Sequence, residues 1–311
     1  MFTPAPAWTG RNDGPGPEHA RWHSVINTST APGAALLGFA TDEGVRRNGG
    51  RVGAADGPEA LRAALGSLAV HDEFPRHDAG TVVTEGKDLE FAQEEVSAKV
   101  EELARAGHLP IVLGGGHETS FASGRGLARV RPAAIVNLDA HFDLRAADRP
   151  TSGTPFRQLA EVYGADFDYS VLGISRANNT KVLFDTARDL GVNVVLDEEL
   201  AAVSAREAAQ RALELLTDAE SIHLSIDLDV LPAAVAPGVS APAGFGVPLL
   251  HIHAIVRALA ATGKLALVDI AELNPRFDID GRTAKTAARL IDAIVTAHAS
   301  CSRLANSDAR H

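Results

Sequence analysis

Three residues that can bind a metal ion stand at alternate positions in the stretch NLDAHFDLR, residues 137–145. Asp139, His141 and Asp143 are separated by single apolar residues and follow the apolar run AAIV. In extended backbone, residues two apart project to the same side, with Cα atoms roughly 6.5–7 Å apart. The three side chains are therefore expected to face one point at the end of a strand, where they can act as ligands of a metal ion.

Polar residues also follow three other apolar runs. PIVLGGGHE leads to His117, IHLSIDLDV carries Asp227 and Asp229, and LVDIAELNP carries Glu272. One such motif alone is weak evidence for a metal site, because Asp pairs often cap helices or turns. The glycines before His117 are not followed by the Lys and Ser/Thr of a phosphate loop, so they are interpreted as backbone that passes close to the site. Four elements of this kind favour one shared site.

The donor types indicate which ion such a site would bind. Carboxylates combined with imidazoles, without thiolates, suit Mn²⁺ and are compatible with Fe²⁺, Co²⁺ or Zn²⁺. Four carboxylates around one divalent ion would leave a large negative charge, whereas two ions would balance it. A binuclear site is therefore predicted, with six ligands: His117, Asp139, His141, Asp143, Asp227 and Asp229.

Strand and helix patterns alternate along the chain. Most strand candidates lack polar alternation, which is typical of parallel strands buried on both faces. The alternation predicts one doubly wound α/β sheet, whose carboxyl edge is where such sheets place their sites. The predicted strands are 35–40, 110–115, 133–140, 169–175, 192–197, 222–230 and 265–273, and the predicted helices are 57–68, 88–107, 201–217, 249–262 and 283–299.

The composition excludes several functional classes. Against 29 Lys and Arg stand 40 Asp and Glu, a net charge of −11, which disfavours binding to nucleic acid or to acidic membranes. The single cysteine, Cys301, excludes an internal disulfide and any CxxC motif. Without a signal-peptide core or a run of membrane-spanning length, the sequence predicts a soluble cytoplasmic protein.

The N-terminal segment differs from the rest of the chain. Residues 1–33 are rich in Pro, Gly and Asn and are predicted to form an irregular arm with one short helix near residues 18–24. Neither an internal repeat nor a low-complexity linker divides the remainder. Residues 34–311 are therefore predicted to form a single α/β catalytic domain.

The motifs GGGHE, NLDAHFD and SIDLDV resemble the metal-binding motifs of the ureohydrolase family, which includes arginases, agmatinases and formimidoylglutamases. The resemblance extends from about residue 35 to 295. It implies a parallel sheet of about eight strands flanked by helices, two Mn²⁺ ions per subunit and a homo-oligomer. It also implies that the six residues named above are the ligands, with some aspartates bridging the two ions.

Departures from the family pattern bear on the substrate. Guanidino hydrolases typically carry His before Gly in the segment that reads TSGTPFRQL here, where this chain has Ser152. The pieces GRNDG, SGTPFRQ, GISRANNT and DIDGRTAKTAARL instead resemble formimidoylglutamases. That resemblance implies hydrolysis of a small-molecule substrate, N-formimidoyl-L-glutamate, to L-glutamate and formamide in histidine degradation. The alternatives are a guanidino-acid or agmatinase-type hydrolase that releases urea and, less favoured because every ligand is present, a non-catalytic metal protein.

A substrate with two carboxylates calls for arginine, whose planar fork pairs with a carboxylate through two hydrogen bonds. Arg145 directly follows the DxHxD pattern, and Arg176 lies at the end of another predicted strand. Arg51 and Arg157 are further candidates. Ser152 is a candidate substrate contact, because it places a hydroxyl where relatives carry an imidazole.

The resemblance also implies catalytic roles. A hydroxide that bridges the two metal ions would attack the formimino carbon. Asp143 is the candidate that moves a proton to the departing glutamate nitrogen. Glu272 matches a family position that holds the amidine head of the substrate. His223 shares strand parity with Asp227 but lies at the entry end of its strand, so it is interpreted as a core histidine.

Overall fold

A nine-stranded sheet forms the centre of the molecule in the computed structural model, which describes residues 1–216 and 218–308. The strand order is β1-β3-β2-β4-β9-β8-β5-β6-β7, and every pair is parallel except β1 with β3. The prediction of a parallel α/β sheet is confirmed. The strands are β1 Phe2–Thr3, β2 Ala34–Ala40, β3 Arg76–Val83, β4 Leu109–Leu113, β5 Ala134–Leu138, β6 Tyr169–Ile174, β7 Asn193–Leu196, β8 Ile222–Asp227 and β9 Leu265–Ala271.

Helices cover both faces of the sheet. One face carries α1, α3, α9, α10 and α11, and the other carries α4, α5, α6 and α7, since the buried apolar residues divide in that way. Each fully buried Leu or Ile side chain contributes about 1.5–3 kcal/mol to stability. The helices are α1 Trp22–Val25, α2 Glu43–Arg47, α3 Gly57–Gly66, α4 Leu89–Arg105, α5 Thr119–Ala128, α6 Pro155–Tyr163, α7 Lys181–Asp189, α8 Asp197–Ala201, α9 Ala205–Glu214, α10 Leu249–Ala260 and α11 Arg282–Asp308.

Local capping decides where several helices begin. The Asp88 side chain accepts a hydrogen bond from the Phe91 N–H and starts α4. Ser204 and Glu207 form a capping box at the start of α9. The prediction of one helix over 201–217 was therefore wrong, because the Ser204 cap separates α8 from α9. The last residue of that range, Thr217, lies outside the described residues.

Two strands and five helices were not predicted from the sequence: β1, β3, α2, α5, α6, α7 and α8. Strand β3 was missed because it carries two charged residues, Arg76 and Asp78, which are both buried. Asp78 pairs with Arg62 in α3, and Arg76 pairs with Asp72, four residues earlier in the chain. A local pattern of apolar residues cannot reveal such pairs.

The N-terminal arm packs on the sheet. Strand β1 pairs antiparallel with β3 and forms one edge of the sheet, and Trp22 is fully buried with its Nε1–H donating to Asp292 at 3.0 Å. Trp8 donates to Asp78 at 2.8 Å. The division between residues 1–33 and 34–311 stays a prediction, and residues 309–311 lie outside the described part of the chain.

The order of the central strands positions the site. Strands β4, β9, β8 and β5 are neighbours and parallel, so the segments that follow them emerge at the same edge of the sheet. These are the segments that carry the predicted ligands.

Among the described residues, no helix is both long and apolar enough to cross a membrane.

Candidate metal centre

The predicted ligands meet at the carboxyl edge of the central strands. His117 lies between β4 and α5, Asp139 directly follows β5, Asp227 ends β8 and Glu272 directly follows β9. Asp139 is fully buried, and the other predicted ligands line a cavity of about 290 Å³ together with Glu272. The cavity is also lined by residues from the loop after α2 and by Ser240.

One group of donors surrounds the His117 ring. Its Nδ1 atom is 3.1 Å from Asp139 Oδ2, 2.9 Å from Asp143 Oδ2 and 3.2 Å from Asp227 Oδ2. None of these contacts has hydrogen-bond geometry, and Nδ1 is buried without a hydrogen-bond partner. A ring nitrogen directed at three carboxylate oxygens fits a cation between them. We call this group, His117, Asp139, Asp143 and Asp227, the His117 site.

A second group adjoins the first. His141 Nδ1 is 3.0 Å from Asp229 Oδ2 and 3.6 Å from Asp139 Oδ1. We call Asp139, His141 and Asp229 the His141 site. Asp139 offers one oxygen to each group, so its carboxylate lies between two adjacent donor sets. The sequence had left open which aspartates bridge, and this position favours Asp139.

The electrostatics of the cluster explain why it suits divalent cations. The charge of Asp229 raises the pKa of His141 to about 12. Burial, together with the charge of Asp139, raises the pKa of Asp143 to about 6, and burial with the charge of Asp229 raises the pKa of Asp227 well above its usual range. The donors therefore carry more negative charge than the protein neutralises. Two divalent ions would supply the missing positive charge.

Glu272 is held in a conformation that few residues adopt. Its φ is 69°, a left-handed backbone value that costs about 1–3 kcal/mol and clusters at functional sites. Its N–H donates to Gly115 O at 2.8 Å, and its Oε1 accepts from the His117 N–H at 2.9 Å. The other oxygen, Oε2, is buried without a partner, and burial with the charge of Glu118 raises the Glu272 pKa to about 8. One carboxylate oxygen thus remains available to a ligand.

Arg145 and Ser152, which were both predicted to contact the substrate, line the cavity. Arg145 is exposed, and its guanidinium makes no hydrogen bond or ion pair within the described part of the chain. Ser152 is buried, and its Oγ accepts a hydrogen bond from Asn48 Nδ2 at 3.2 Å. Because the Ser152 oxygen is the acceptor in that contact, its own hydrogen is free to donate to a substrate.

The structure places the other three arginine candidates differently. Arg51 lines the cavity, where its guanidinium donates to the carbonyls of Val239 and Ser240 and lies 4.1 Å above the ring of Phe277. Arg176 is exposed outside the cavity, 5.6 Å from the ring of Phe184. Its predicted role in substrate binding stays a prediction.

Arg157 is half-buried and lines a separate surface pocket with Glu161 and Asp189. His223 is fully buried in β8, with Nε2 2.5 Å from Asp269 Oδ2, as expected of a core histidine.

Some residues near the centre were missed by the sequence analysis. Asp269 lies in the middle of the apolar run LALVDIAEL, and a charged residue inside a buried strand is a signal that could have revealed it. Glu118 follows His117 and accepts hydrogen bonds from Thr41 and the Gly44 N–H, so it fixes the segment that leads to the cavity wall. Asn48 gives no comparable signal, because an exposed Asn after a helix is ordinary.

A model of the arginase family matches residues 32–296. The chain belongs to the arginase family. The family resemblance and the arginase-like fold expected from the motifs are thereby confirmed, and the match includes all six predicted ligands and Glu272.

Relatives within the arginase family are similar over nearly the whole chain. The formimidoylglutamase of Corynebacterium efficiens is 55% identical over 298 residues, 94% of this chain and 95% of that protein. The formimidoylglutamase of Rhodococcus opacus is 50% identical over 309 residues, 95% of this chain and 97% of that protein. A crystal structure of Trypanosoma cruzi formiminoglutamase with Mn²⁺₂ superimposes with a TM-score of 0.83 at 28% identity, covering 90% of this chain and 98% of that one.

Proposed function

We propose that this protein hydrolyses N-formimidoyl-L-glutamate to L-glutamate and formamide with two Mn²⁺ ions bound per subunit. The observation that carries the proposal is a single cavity lined by the two adjacent donor sets, by Ser152 and by Arg145, whose guanidinium has no partner among the described residues. The similarity to formimidoylglutamases over 94% of the chain supports the substrate, and the Mn²⁺₂ of the Trypanosoma cruzi structure supports the metal.

The donors divide between two ions. The His117 site would hold one ion and the His141 site the other, with Asp139 shared between them. Bound there, the ions would supply a water molecule acidic enough to be a nucleophile near neutral pH. The unpartnered His117 Nδ1 and the uncompensated carboxylates of the cluster both fit this assignment.

Glu272 is assigned to the amidine head of the substrate. Its Oε2 is buried and unpartnered, and its Oε1 is fixed by the His117 N–H. A carboxylate held in this way can accept a hydrogen bond from the amidine nitrogen and orient the reacting carbon toward the donor cluster. The left-handed backbone at Glu272 keeps the carboxylate at that point.

Asp143 is assigned to proton transfer. It belongs to the His117 site and also lines the cavity, so it adjoins both the nucleophile and the substrate. A carboxyl group in that position can receive a proton and pass it to the departing glutamate nitrogen.

The cavity wall offers groups for the two substrate carboxylates. Arg145 has no partner in the described part of the chain, and Ser152 has a free hydroxyl hydrogen. Arg51 is held in place by backbone carbonyls. We assign one carboxylate to Arg145 with Ser152 and the other to Arg51. A cavity of about 290 Å³ suits a substrate of this size.

The cellular setting and the assembly of the protein are part of the same proposal. Histidine degradation in the cytoplasm is the setting that this substrate implies, and a homo-oligomer is the assembly that the family resemblance implies. Hydrolysis of a guanidino compound with release of urea is the less favoured alternative, because Ser152 replaces the histidine that guanidino hydrolases typically carry.

The test is hydrolysis by the Mn²⁺-loaded protein of N-formimidoyl-L-glutamate, with arginine, agmatine and guanidinopropionate in parallel. We expect formamide and glutamate from the first compound and no urea from the others. A matched control is Glu272→Gln, which leaves all six ligands in place. It is expected to retain two Mn²⁺ ions but to lose most activity. Urea from a guanidino compound, with the formimidoyl compound unchanged, would refute the substrate assignment.

A further inference from the structure

The nitrogen of His117 that faces away from the metal cluster begins a buried chain of hydrogen bonds. His117 Nε2 lies 2.9 Å from Ser225 Oγ, and Ser225 Oγ donates to Asp269 Oδ1 at 2.7 Å. His117, Ser225 and Asp269 are at most 1% exposed. The chain therefore connects a metal-facing ring to a carboxylate on the central strand β9, with no solvent between them.

Asp269 is stabilised in its ionised form by a full set of donors. Ser120 and Ser225 donate to Oδ1, both at 2.7 Å, while Ser123 at 2.6 Å and His223 at 2.5 Å contact Oδ2. Burial alone would raise the Asp269 pKa, but His223 and the hydroxyls of Ser123 and Ser120 outweigh it and lower the pKa to about 2. A negative charge is therefore fixed at this point in the core.

The direction of these hydrogen bonds determines the tautomer of His117. Ser225 has one hydroxyl hydrogen, and it is donated to Asp269. The Ser225 oxygen can then only accept from His117, so Nε2 must carry the ring hydrogen. In the neutral ring, the form that binds a metal ion, Nδ1 is then left with a lone pair directed at the carboxylates of the His117 site.

We propose that Asp269, acting through Ser225, is a positioning residue for the metal centre that fixes the tautomer and orientation of His117. The proposal rests on the two-ion function proposed above. It implies that the two metal sites differ, since the ring of His141 has no second hydrogen bond of this kind within the described residues. Interrupting the chain weakens ion binding at the His117 site and leaves the His141 site unchanged.

The proposal is tested by titrating metal-free protein with Mn²⁺, following heat by calorimetry and spin coupling by electron paramagnetic resonance. Asp269→Asn and Ser225→Ala are expected to raise the dissociation constant of one site roughly 10- to 100-fold, and at partial loading to replace the coupled-pair signal with that of isolated Mn²⁺. Ser225→Ala keeps the contact between Asp269 and His223, so it remains informative if Asp269→Asn does not fold.

Ser123→Ala is the matched control, because Ser123 contacts Asp269 but lies outside the chain to His117. It is expected to bind both ions as the wild type does. Unchanged dissociation constants in Asp269→Asn and Ser225→Ala would overturn the proposal while the hydrolytic function stands. An equal loss in Ser123→Ala would also overturn it, because that result indicates general damage to the core. A wild-type protein that binds fewer than two ions would overturn the proposed function itself.

Discussion

Two groups of buried carboxylates in this molecule differ in whether a positively charged side chain neutralises them. Asp78 in β3 is paired with Arg62, whose Nε and Nη2 atoms each donate to one carboxylate oxygen at 2.8 Å. Trp8 and the Gly80 N–H complete its hydrogen bonds. The charge of Asp78 is therefore fully matched within the chain, and its role is structural.

The metal centre lacks such a match. Its four aspartates form ion pairs only with His117 and His141. Within the described residues, no lysine or arginine pairs with these aspartates or with Glu272. Buried carboxylates without a counter-charge are costly. Since both groups are buried to a similar extent, the presence or absence of a counter-charge in the chain, and not burial, separates a structural carboxylate from a functional one.

Asp227→Asn gives the largest expected effect. Loss of a ligand from the His117 site should lower kcat about 10³-fold, equivalent to about 4 kcal/mol, because one ion no longer binds. The melting temperature of the metal-free protein should rise, because one repelling carboxylate is removed. Activity, Mn²⁺ stoichiometry and thermal unfolding measured with and without chelator check this. A metal-free variant less stable than the metal-free wild type would show that Asp227 is structural.

Asp78→Asn should have the converse effect. It leaves the buried Arg62 guanidinium unpaired and should lower the free energy of unfolding by about 3–5 kcal/mol, while Mn²⁺ stoichiometry stays unchanged below the unfolding temperature. Urea denaturation measures the loss. A second variant with Arg62→Met added should recover part of the stability, because the unpaired charge is then gone. Loss of a metal ion in Asp78→Asn would break the distinction between the two groups.

The same distinction explains how much of the site the sequence could predict. Asp139, His141 and Asp143 were predictable as ligands because their spacing after an apolar run is a local feature. The expectation that all three face one point from an extended strand was wrong, because β5 ends at Leu138 and Asp143 has a left-handed φ of 49°. His141 therefore belongs to the other donor group. The convergence of this segment with His117 and Asp227 followed from the rule that parallel strands share a carboxyl edge. These are constraints that a linear pattern contains.

The remaining features depend on contacts between distant segments. Arg145 and Arg176 were both predicted to bind the substrate, but Arg145 lines the cavity and Arg176 is exposed outside it. Arg51 reaches the cavity wall through the carbonyl of Ser240, 189 positions away. The hydrogen-bond chain from His117 to Asp269 likewise joins three separate elements, so no local pattern reveals it.

Arg145→Ala should have a smaller effect than loss of a ligand. Removing hydrogen bonds to a charged substrate group costs about 1.5–3 kcal/mol, roughly 10- to 150-fold in kcat/KM and expressed chiefly in KM. Arg145→Lys should recover only part of this, because lysine lacks the planar fork. Arg176→Ala is the matched comparison from outside the cavity. We expect Arg176→Ala to raise KM less than Arg145→Ala does. A larger rise in Arg176→Ala would indicate that Arg176, and not Arg145, binds the substrate carboxylate.

Glu90 gives the smallest expected effect, because arginine side chains match its charge but its side chain is partly exposed to water. Burial would raise its pKa, but hydrogen bonds from Arg47 and Arg149 outweigh it and lower the pKa from 4.5 to about 2. With a side chain 39% exposed, Glu90→Gln should cost less than about 1 kcal/mol in the free energy of unfolding at neutral pH.

Because the folded-state pKa of Glu90 lies below its unfolded value of 4.5, its contribution to stability is fully present above about pH 5 and is lost as the pH falls toward 2. Urea denaturation of the wild type and Glu90→Gln at several pH values should therefore give curves that converge in acid. Curves that diverge in acid would mean that Glu90 lacks a counter-charge in the folded protein, like the carboxylates of the metal centre. Curves that converge in acid and differ slightly at neutral pH would show that Glu90 resembles Asp78. Both carboxylates would then be matched by arginine, and the Glu90 pair would contribute less to stability because water screens it more strongly.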